Sequence, residues 1–168
     1  MYFELITIPC LSDNYAFIFY NVENRSALLV DAPEAGPINK VLTKNNLNLE
    51  KIFLTHHHSD HVDGLAEILD KHNALTIGAQ ADIHRLPKLD KYVQAGDEIF
   101  FQGQTGKIFD VSGHTVGHLA LYIPAQNILF SGDSLMALGC GRLFEGNAEQ
   151  MWNSLSRLIS LPDTTKIC

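Results

Sequence analysis

Residues 55–61 read Thr-His-His-His-Ser-Asp-His, which places four histidines and one aspartate within six positions. The segment follows directly on Lys51 to Leu54, a short run that reads as a buried strand. So many polar rings at a strand end have no packing use, and burying them costs free energy unless their nitrogens find partners. In extended backbone, alternate side chains share a face. His56 and His58 can therefore face one metal ion while His57 points elsewhere. Asp60 and His61 lie one short turn further on and can face a second ion beside the first. Any fold for this chain has to bring further donors to that strand end.

The surrounding pattern offers them. Strands are expected at Phe3 to Ile8, Tyr15 to Tyr20, Ala27 to Val30, Leu75 to Ile77, Glu98 to Phe101, Lys107 to Val111, Leu119 to Ile123 and Ile128 to Phe130. Helices are expected at Ile38 to Lys44, Val62 to His72 and Ala148 to Ile159, where apolar residues recur at three- and four-residue spacing. Residues 80–92 read as loop with a short helical turn, and Lys166 to Cys168 as the beginning of a strand. On this map Asp31, His56, His114 and Asp133 each follow a strand, which is how the end of a sheet becomes the polar floor of a site. His114, in Gly113-His114-Thr115, supplies a remote imidazole. Asp133, in Gly132-Asp133-Ser134, supplies a carboxylate whose two oxygens can bridge two metals. Imidazole nitrogen with carboxylate oxygen suits zinc, iron or manganese, and no thiolate is placed to help.

The other histidines read differently. His57 is expected to be structural or to support a ligand, and His118 to support the site or pack on the following strand. His72 and His84 have no motif around them and are read as ordinary surface residues, while Asp31 is read as a strand-end cap with a possible supporting role. Cys140 is read as a buried, inert thiol in a glycine-rich loop. Other chemistries lack their signatures: there is no GxSxG, HExxH, P-loop or GxGxxG. With 12 Lys+Arg against 19 Asp+Glu the formal net charge is −7, which argues against a nucleic-acid partner. No apolar run approaches a membrane span, and the start carries no basic leader pattern. Three widely spaced cysteines suit a reducing cytoplasm.

Taken together, these motifs resemble those of the metallo-β-lactamase superfamily. Thr55 to His61 looks like its HxHxDH signature, and Gly113-His114-Thr115 and Gly132-Asp133 match its next motifs in order. The loop Gly139-Cys140-Gly141-Arg142-Leu143-Phe144-Glu145-Gly146 is similar to that of the glyoxalase II branch, the hydroxyacylglutathione hydrolases. Ile8-Pro9, Asp13-Asn14-Tyr15 and Leu161-Pro162-Asp163 agree with it. The resemblance covers the whole chain. Phe144 stands where many of that branch have tyrosine, Ser112 where a proline often precedes the GHT motif, and Asp63 where glycine often follows HxHxDH-Val.

The resemblance implies an α/β fold, a metallo-β-lactamase-like αββα sandwich with mixed sheets, spanning residues 1–168 as a catalytic domain incomplete at its C-terminus. It implies two divalent metal ions, zinc foremost with iron or manganese as alternatives. His56, His58 and His114 would hold the first, Asp60 and His61 the second, and Asp133 both, with Asp60 and Asp133 also serving catalysis. The implied substrate is a small-molecule glutathione thioester such as S-lactoylglutathione, met by Arg142 and Phe144. The implied protein is a cytoplasmic monomer, without nucleic acid or membrane, acting in methylglyoxal detoxification. In that branch the chain runs on past the Cys168 position to one more histidine ligand of the second metal and a helical domain. Competing readings are a one-iron persulfide dioxygenase or a lactonase of the same superfamily, or a non-catalytic metal-binding fragment.

Overall fold

The computed structural model describes all 168 residues. Alternating apolar residues on Phe3–Cys10 (β1) and Asn14–Asn21 (β2) make an antiparallel pair in full register from Phe3↔Asn21 to Cys10↔Asn14. Ser26–Val30 (β3) is buried at every position, as expected of a strand covered on both faces. It pairs antiparallel with β2 and parallel with Asn48–Phe53 (β4). Leu75–Ala79 (β5) and Lys91–Val93 (β6) continue the sheet in parallel, giving the order β1-β2-β3-β4-β5-β6. Parallel neighbours need crossovers. Ala35–Lys44 (α1) carries the chain from β3 to β4, and Ser59–Val62 (α2) with Leu65–Leu69 (α3) carries it from β4 to β5.

The second sheet is an antiparallel meander of Glu98–Phe101 (β7), Gln104–Asp110 (β8), Leu119–Ile123 (β9) and Ile128–Phe130 (β10). Lys166–Ile167 (β13) adds to β10 in parallel, and Leu135–Met136 (β11) with Gly139–Cys140 (β12) forms a separate two-stranded ribbon. A cluster of 37 buried apolar residues fills the centre, with Phe3 stacked on Phe19 and Phe101 edge-on to Phe3 joining the two sheets. Ala148–Leu158 (α4) covers the outer face of the second sheet through Leu158 on Val111, Ala120, Tyr122 and Leu129. Asn147 caps it, its side chain accepting the Gln150 N–H at 2.9 Å. The layers are therefore helices, sheet, sheet and helix, the αββα arrangement that the family resemblance implies.

Three local expectations change. The single helix expected over Val62 to His72 is two short pieces, α2 and α3, separated at Asp63-Gly64. Gly64 N–H there donates to Ala32 O at 2.8 Å, and a Cβ would stand 2.8 Å from Ala35 N, so packing against the β3–α1 turn interrupts the helix. Residues 91–93 form β6 rather than loop, because β5 presents an unpaired edge that they complete. Cys140 is exposed rather than buried, since the β11–β12 ribbon stands away from the core.

Candidate metal centre

Because β3 and β4 run parallel, their C-terminal ends lie on one side of the sheet, and the site is built there. Asp31 follows β3 directly and His56 is the third residue after β4, with Asp31 N–H donating to Phe53 O at 2.9 Å. Asp133 follows β10, and the loop after β8 brings in His114. Gly132 allows the turn before Asp133: its φ is +51°, and a Cβ would stand 2.7 Å from both His118 Cε1 and Thr55 Oγ1.

Two sets of donor atoms converge, each with its members within 4.8 Å of one another. One comprises His56, His58 and His114, the other His56, His61 and Asp133. The carboxylate of Asp133 spans them, with Oδ1 at 3.2 Å from His61 Nε2 and Oδ2 at 3.5 Å from His114 Nε2. Asp60 stands one step outside, with Oδ2 at 3.9 Å from His61 Nε2 and its side chain 45% exposed. His57 turns away, as the alternation predicts: its Nδ1 lies 3.1 Å from Asp82 Oδ2 and its Nε2 3.5 Å from Glu145 Oε1. Arg142 and Phe144 lie on the exposed loop after β12, and the Phe144 ring meets His58 and His114 edge-on at 5.4 and 5.2 Å. His84 is exposed, but His72 is half-buried with Nε2 at 3.0 Å from Asn39 Oδ1.

The ring nitrogens that point away from the centre are occupied. His56 Nδ1 meets Thr55 Oγ1 at 3.0 Å, His61 Nδ1 meets Asp31 Oδ2 at 2.8 Å, and His114 Nδ1 meets the Arg142 carbonyl at 2.8 Å. Thr55 Oγ1–H itself donates to Asp31 Oδ2 at 2.8 Å, so its oxygen is free to accept from His56. A proton on Nδ1 of His56 and of His114 leaves a lone pair on Nε2 of each, directed inward, while His61 lies between two carboxylates, Asp31 at Nδ1 and Asp133 at Nε2. His56 Nε2 is buried and has no hydrogen-bond partner in the protein. A buried, unpaired imidazole nitrogen facing two others and a carboxylate fits a divalent metal ion and is costly otherwise.

The charge balance agrees. Burial pushes His56 far below the usual imidazole range, and the neighbouring rings of His118, His61 and His114 push the same way. Burial, then His114, lowers His58 as well, so both favour the neutral form that coordinates. Burial would lower His61 too, but Asp31 and Asp133 overcome it and hold its pKa up at about 10. Burial would raise Asp133, yet the bond and charge of His61 hold it below the ordinary carboxylate range. The His61 end is thus a place where two carboxylates stabilise positive charge.

Supporting residues come from distant segments. Asp31 accepts the Thr55 N–H on Oδ1 at 2.8 Å, besides its bonds to Thr55 Oγ1 and His61. It adopts φ +60°, a conformation a non-glycine residue keeps only where its surroundings impose it. Asn14 Nδ2 donates to Asp60 Oδ2 at 3.0 Å and lies 3.3 Å from His61 Nε2. His118, fully buried, stacks on His56 at 4.6 Å and accepts the Asp133 N–H on Nε2 at 3.1 Å, so it both supports and packs. Asn14, Asp82, Arg85 and Glu145 were not singled out for the site by the sequence. Asn14 reads there as a turn residue, and it reaches Asp60 across 46 positions. A cleft of about 820 Å³ opens beside Asn14, Asp60, His61 and Asp133, with Tyr15 and Met136 among its apolar lining.

The description "Metallo-beta-lactamase superfamily" fits residues 14–168, and the chain belongs to that superfamily. Among solved structures, the BLEG-1 B3 metallo-beta-lactamase superposes with a TM-score of 0.91 at 22% identity, over 98% of this chain and 90% of that one. ETHE1 from Myxococcus xanthus superposes at 0.81 and 26% identity, over 99% and 74%. Closer in sequence are two curated relatives named hydroxyacylglutathione hydrolase. That of Ruegeria pomeroyi is 53% identical over 98% of this chain, and that of Roseobacter denitrificans 51% identical over 98%. The chain spans 65% of the length of the first and 64% of the second. No helix is long and apolar enough to cross a membrane.

Proposed function

We propose that residues 1–168 form the catalytic domain of a metal-dependent thioester hydrolase that cleaves S-(2-hydroxyacyl)glutathione, S-lactoylglutathione among them, to a 2-hydroxy acid and glutathione. The observation that carries this is the pair of converging donor sets with Asp133 across them, in a chain about half identical to enzymes of that name. His56, His58 and His114 would hold one divalent ion, and Asp60 and His61 the other, with Asp133 touching both. Zinc suits this nitrogen and oxygen set best, with iron or manganese as alternatives. Bound there, the ions would polarise a thioester carbonyl and lower the pKa of water toward neutrality.

The residues of the chain do the rest. Asn14 fixes Asp60 through Oδ2, leaving Oδ1 to accept a hydrogen bond from the attacking water and orient it. Thr55 and the Arg142 carbonyl keep His56 and His114 in one tautomer, so their inward nitrogens need no reorganisation, and Asp31 fixes the orientation of the His61 ring. The leaving thiolate has a conjugate acid of pKa about 8.5 and departs without a strong general acid, in keeping with the absence of a Ser-His-Asp arrangement. Arg142, exposed at the rim, offers positive charge to an anionic glutathione. Phe144 offers an apolar face where a tyrosine would add a hydroxyl. The three cysteines are all free, which suits an enzyme of the reducing cytoplasm.

Loss of the thioester absorbance of S-lactoylglutathione tests the reading. Turnover by the metal-loaded protein, abolished by chelator and by Asp133→Ala, is expected. Oxygen uptake on glutathione persulfide with a single iron per chain, and no thioester loss, would overturn it.

A further inference from the structure

Outside the candidate ligands, four ionisable side chains from three separate segments form a closed lattice. Asp82, at the end of the 3-10 turn Gln80–Asp82 after β5, is completely buried. Its Oδ2 faces His57 Nδ1 at 3.1 Å and its Oδ1 pairs with the Arg85 guanidinium. A second nitrogen of Arg85 pairs with Glu145 Oε1, which also lies 3.5 Å from His57 Nε2. Glu145 Oε2 accepts the Val116 N–H at 2.7 Å. A buried carboxylate is costly unless paired, so Asp82 favours the positions of Arg85 and His57 that pair it.

The lattice ends on the segment that touches His114. Phe144 N–H and Glu145 N–H both donate to His114 O, at 3.2 and 3.3 Å, and Gly146 N–H donates to Gly113 O at 3.1 Å. The His114 ring in turn meets the Arg142 carbonyl through Nδ1 at 2.8 Å. Whatever holds residues 142–146 in place therefore also sets which His114 nitrogen faces the centre. We propose that Asp82, Arg85 and Glu145 are positioning residues: they hold the 142–146 segment on His114, so that the Arg142 carbonyl fixes this ring with Nε2 toward the donor cluster, and they hold His57 out of it. Carboxylates and carbonyls on the far nitrogen of a ligating imidazole typically matter by about 10–100-fold in metal affinity. Here that effect is passed on through a salt-bridge lattice. The metal half of this inference rests on the proposed function; the half concerning the ring does not.

Glu145→Gln and Arg85→Met alter the two partly exposed members and leave Asp82 in place, and thermal melting confirms that each variant folds. The His114 tautomer is read by long-range proton–nitrogen NMR on metal-free chain, and zinc affinity by titration. The His56/His58/His114 step is identified by its loss in His58→Ala. The unsubstituted chain is expected to show His114 protonated on Nδ1 alone. Both variants are expected to mix tautomers and weaken that zinc step about tenfold while the other step moves less than about twofold. Arg85→Lys, which keeps a charge between the two carboxylates, is expected to recover most of the loss. Variants that retain the single tautomer and both affinities overturn the inference. An unsubstituted chain that takes up no zinc overturns the proposed function instead, and the tautomer, read without metal, still decides whether the lattice positions the ring.

Discussion

Gly117→Ala is a one-carbon change with a large expected cost. A Cβ at position 117 would stand 2.5 Å from Asp82 Oδ2 and closer still to its Cγ and Oδ1. An unstrained carbon–oxygen contact needs roughly 3.4 Å, so either the carboxylate or the 113–118 loop must move by about 1 Å. Neither is free to do so. Asp82 is completely buried and tied to His57 and Arg85, and the loop is tied by Gly113 N–H to Thr115 O at 3.0 Å and by Val111 N–H to His118 O at 3.0 Å. Overpacking of this kind costs about 1–3 kcal/mol. Disturbing hydrogen bonds to a buried charge adds about 1.5–3 kcal/mol for the His57 contact, with less from the partly exposed Arg85. The sum, roughly 2.5–6 kcal/mol, corresponds to a fall in Tm of roughly 5–24 °C for a chain of this size. Circular dichroism melts in chelator measure it. The cause is isolated by repeating the change in an Asp82→Ala background, where the obstructing atoms are gone and the cost of Gly117→Ala should drop below about 1 kcal/mol. Equal costs in the two backgrounds would refute the assignment of Asp82 as the obstacle.

Other outcomes follow from the same geometry. Asp31→Ala removes the acceptor of three hydrogen bonds in a buried setting and should lower the urea-unfolding free energy by about 3–5 kcal/mol; a loss under about 1 kcal/mol would show that Thr55 and His61 find other partners. In metal-free chain His61, with its pKa raised to about 10 by Asp31 and Asp133 against burial, favours folding while protonated. That contribution is complete below the unfolded value of about 6.5 and is lost as pH rises through about 10. Urea midpoints should therefore fall between those limits, and fall less in His61→Gln; parallel curves would contradict it. Zinc at about a hundredfold above its Kd should stabilise the chain by about 2.7 kcal/mol per site, reversibly by chelator, and Asp133→Ala should remove more than half of the gain seen in the melts.

How far the sequence goes can be judged residue by residue. The period-two placement of His56 and His58, and the turning away of His57, are properties of one extended segment, and they hold in the structure. Alternation and apolar runs likewise locate most strands within a residue or two. The misses have a common cause. The break of the 62–72 helix comes from Gly64 pressed on the turn after β3, and β6 exists because β5 offers it an edge. Asn14 supports Asp60 from a hairpin end whose own sequence reads only as a turn. Asp82, Arg85 and Glu145 sit in polar stretches that look like solvated loop, and a buried carboxylate leaves no trace in periodicity.

The sequence alone therefore determined the chemistry available: imidazoles and carboxylates at strand ends, in an order and spacing that local backbone geometry converts into inward and outward faces. Only the tertiary structure decided which nitrogen of each ring faces in, that Asp133 lies across both donor sets, and that a salt-bridge lattice links His57 to the loop resting on His114. The physical reason is range. Side-chain alternation is set within two residues, whereas a ring's orientation is set by whichever partner the fold brings to its other nitrogen: Asp31 for His61 across 30 positions, and the Arg142 carbonyl for His114 across 28.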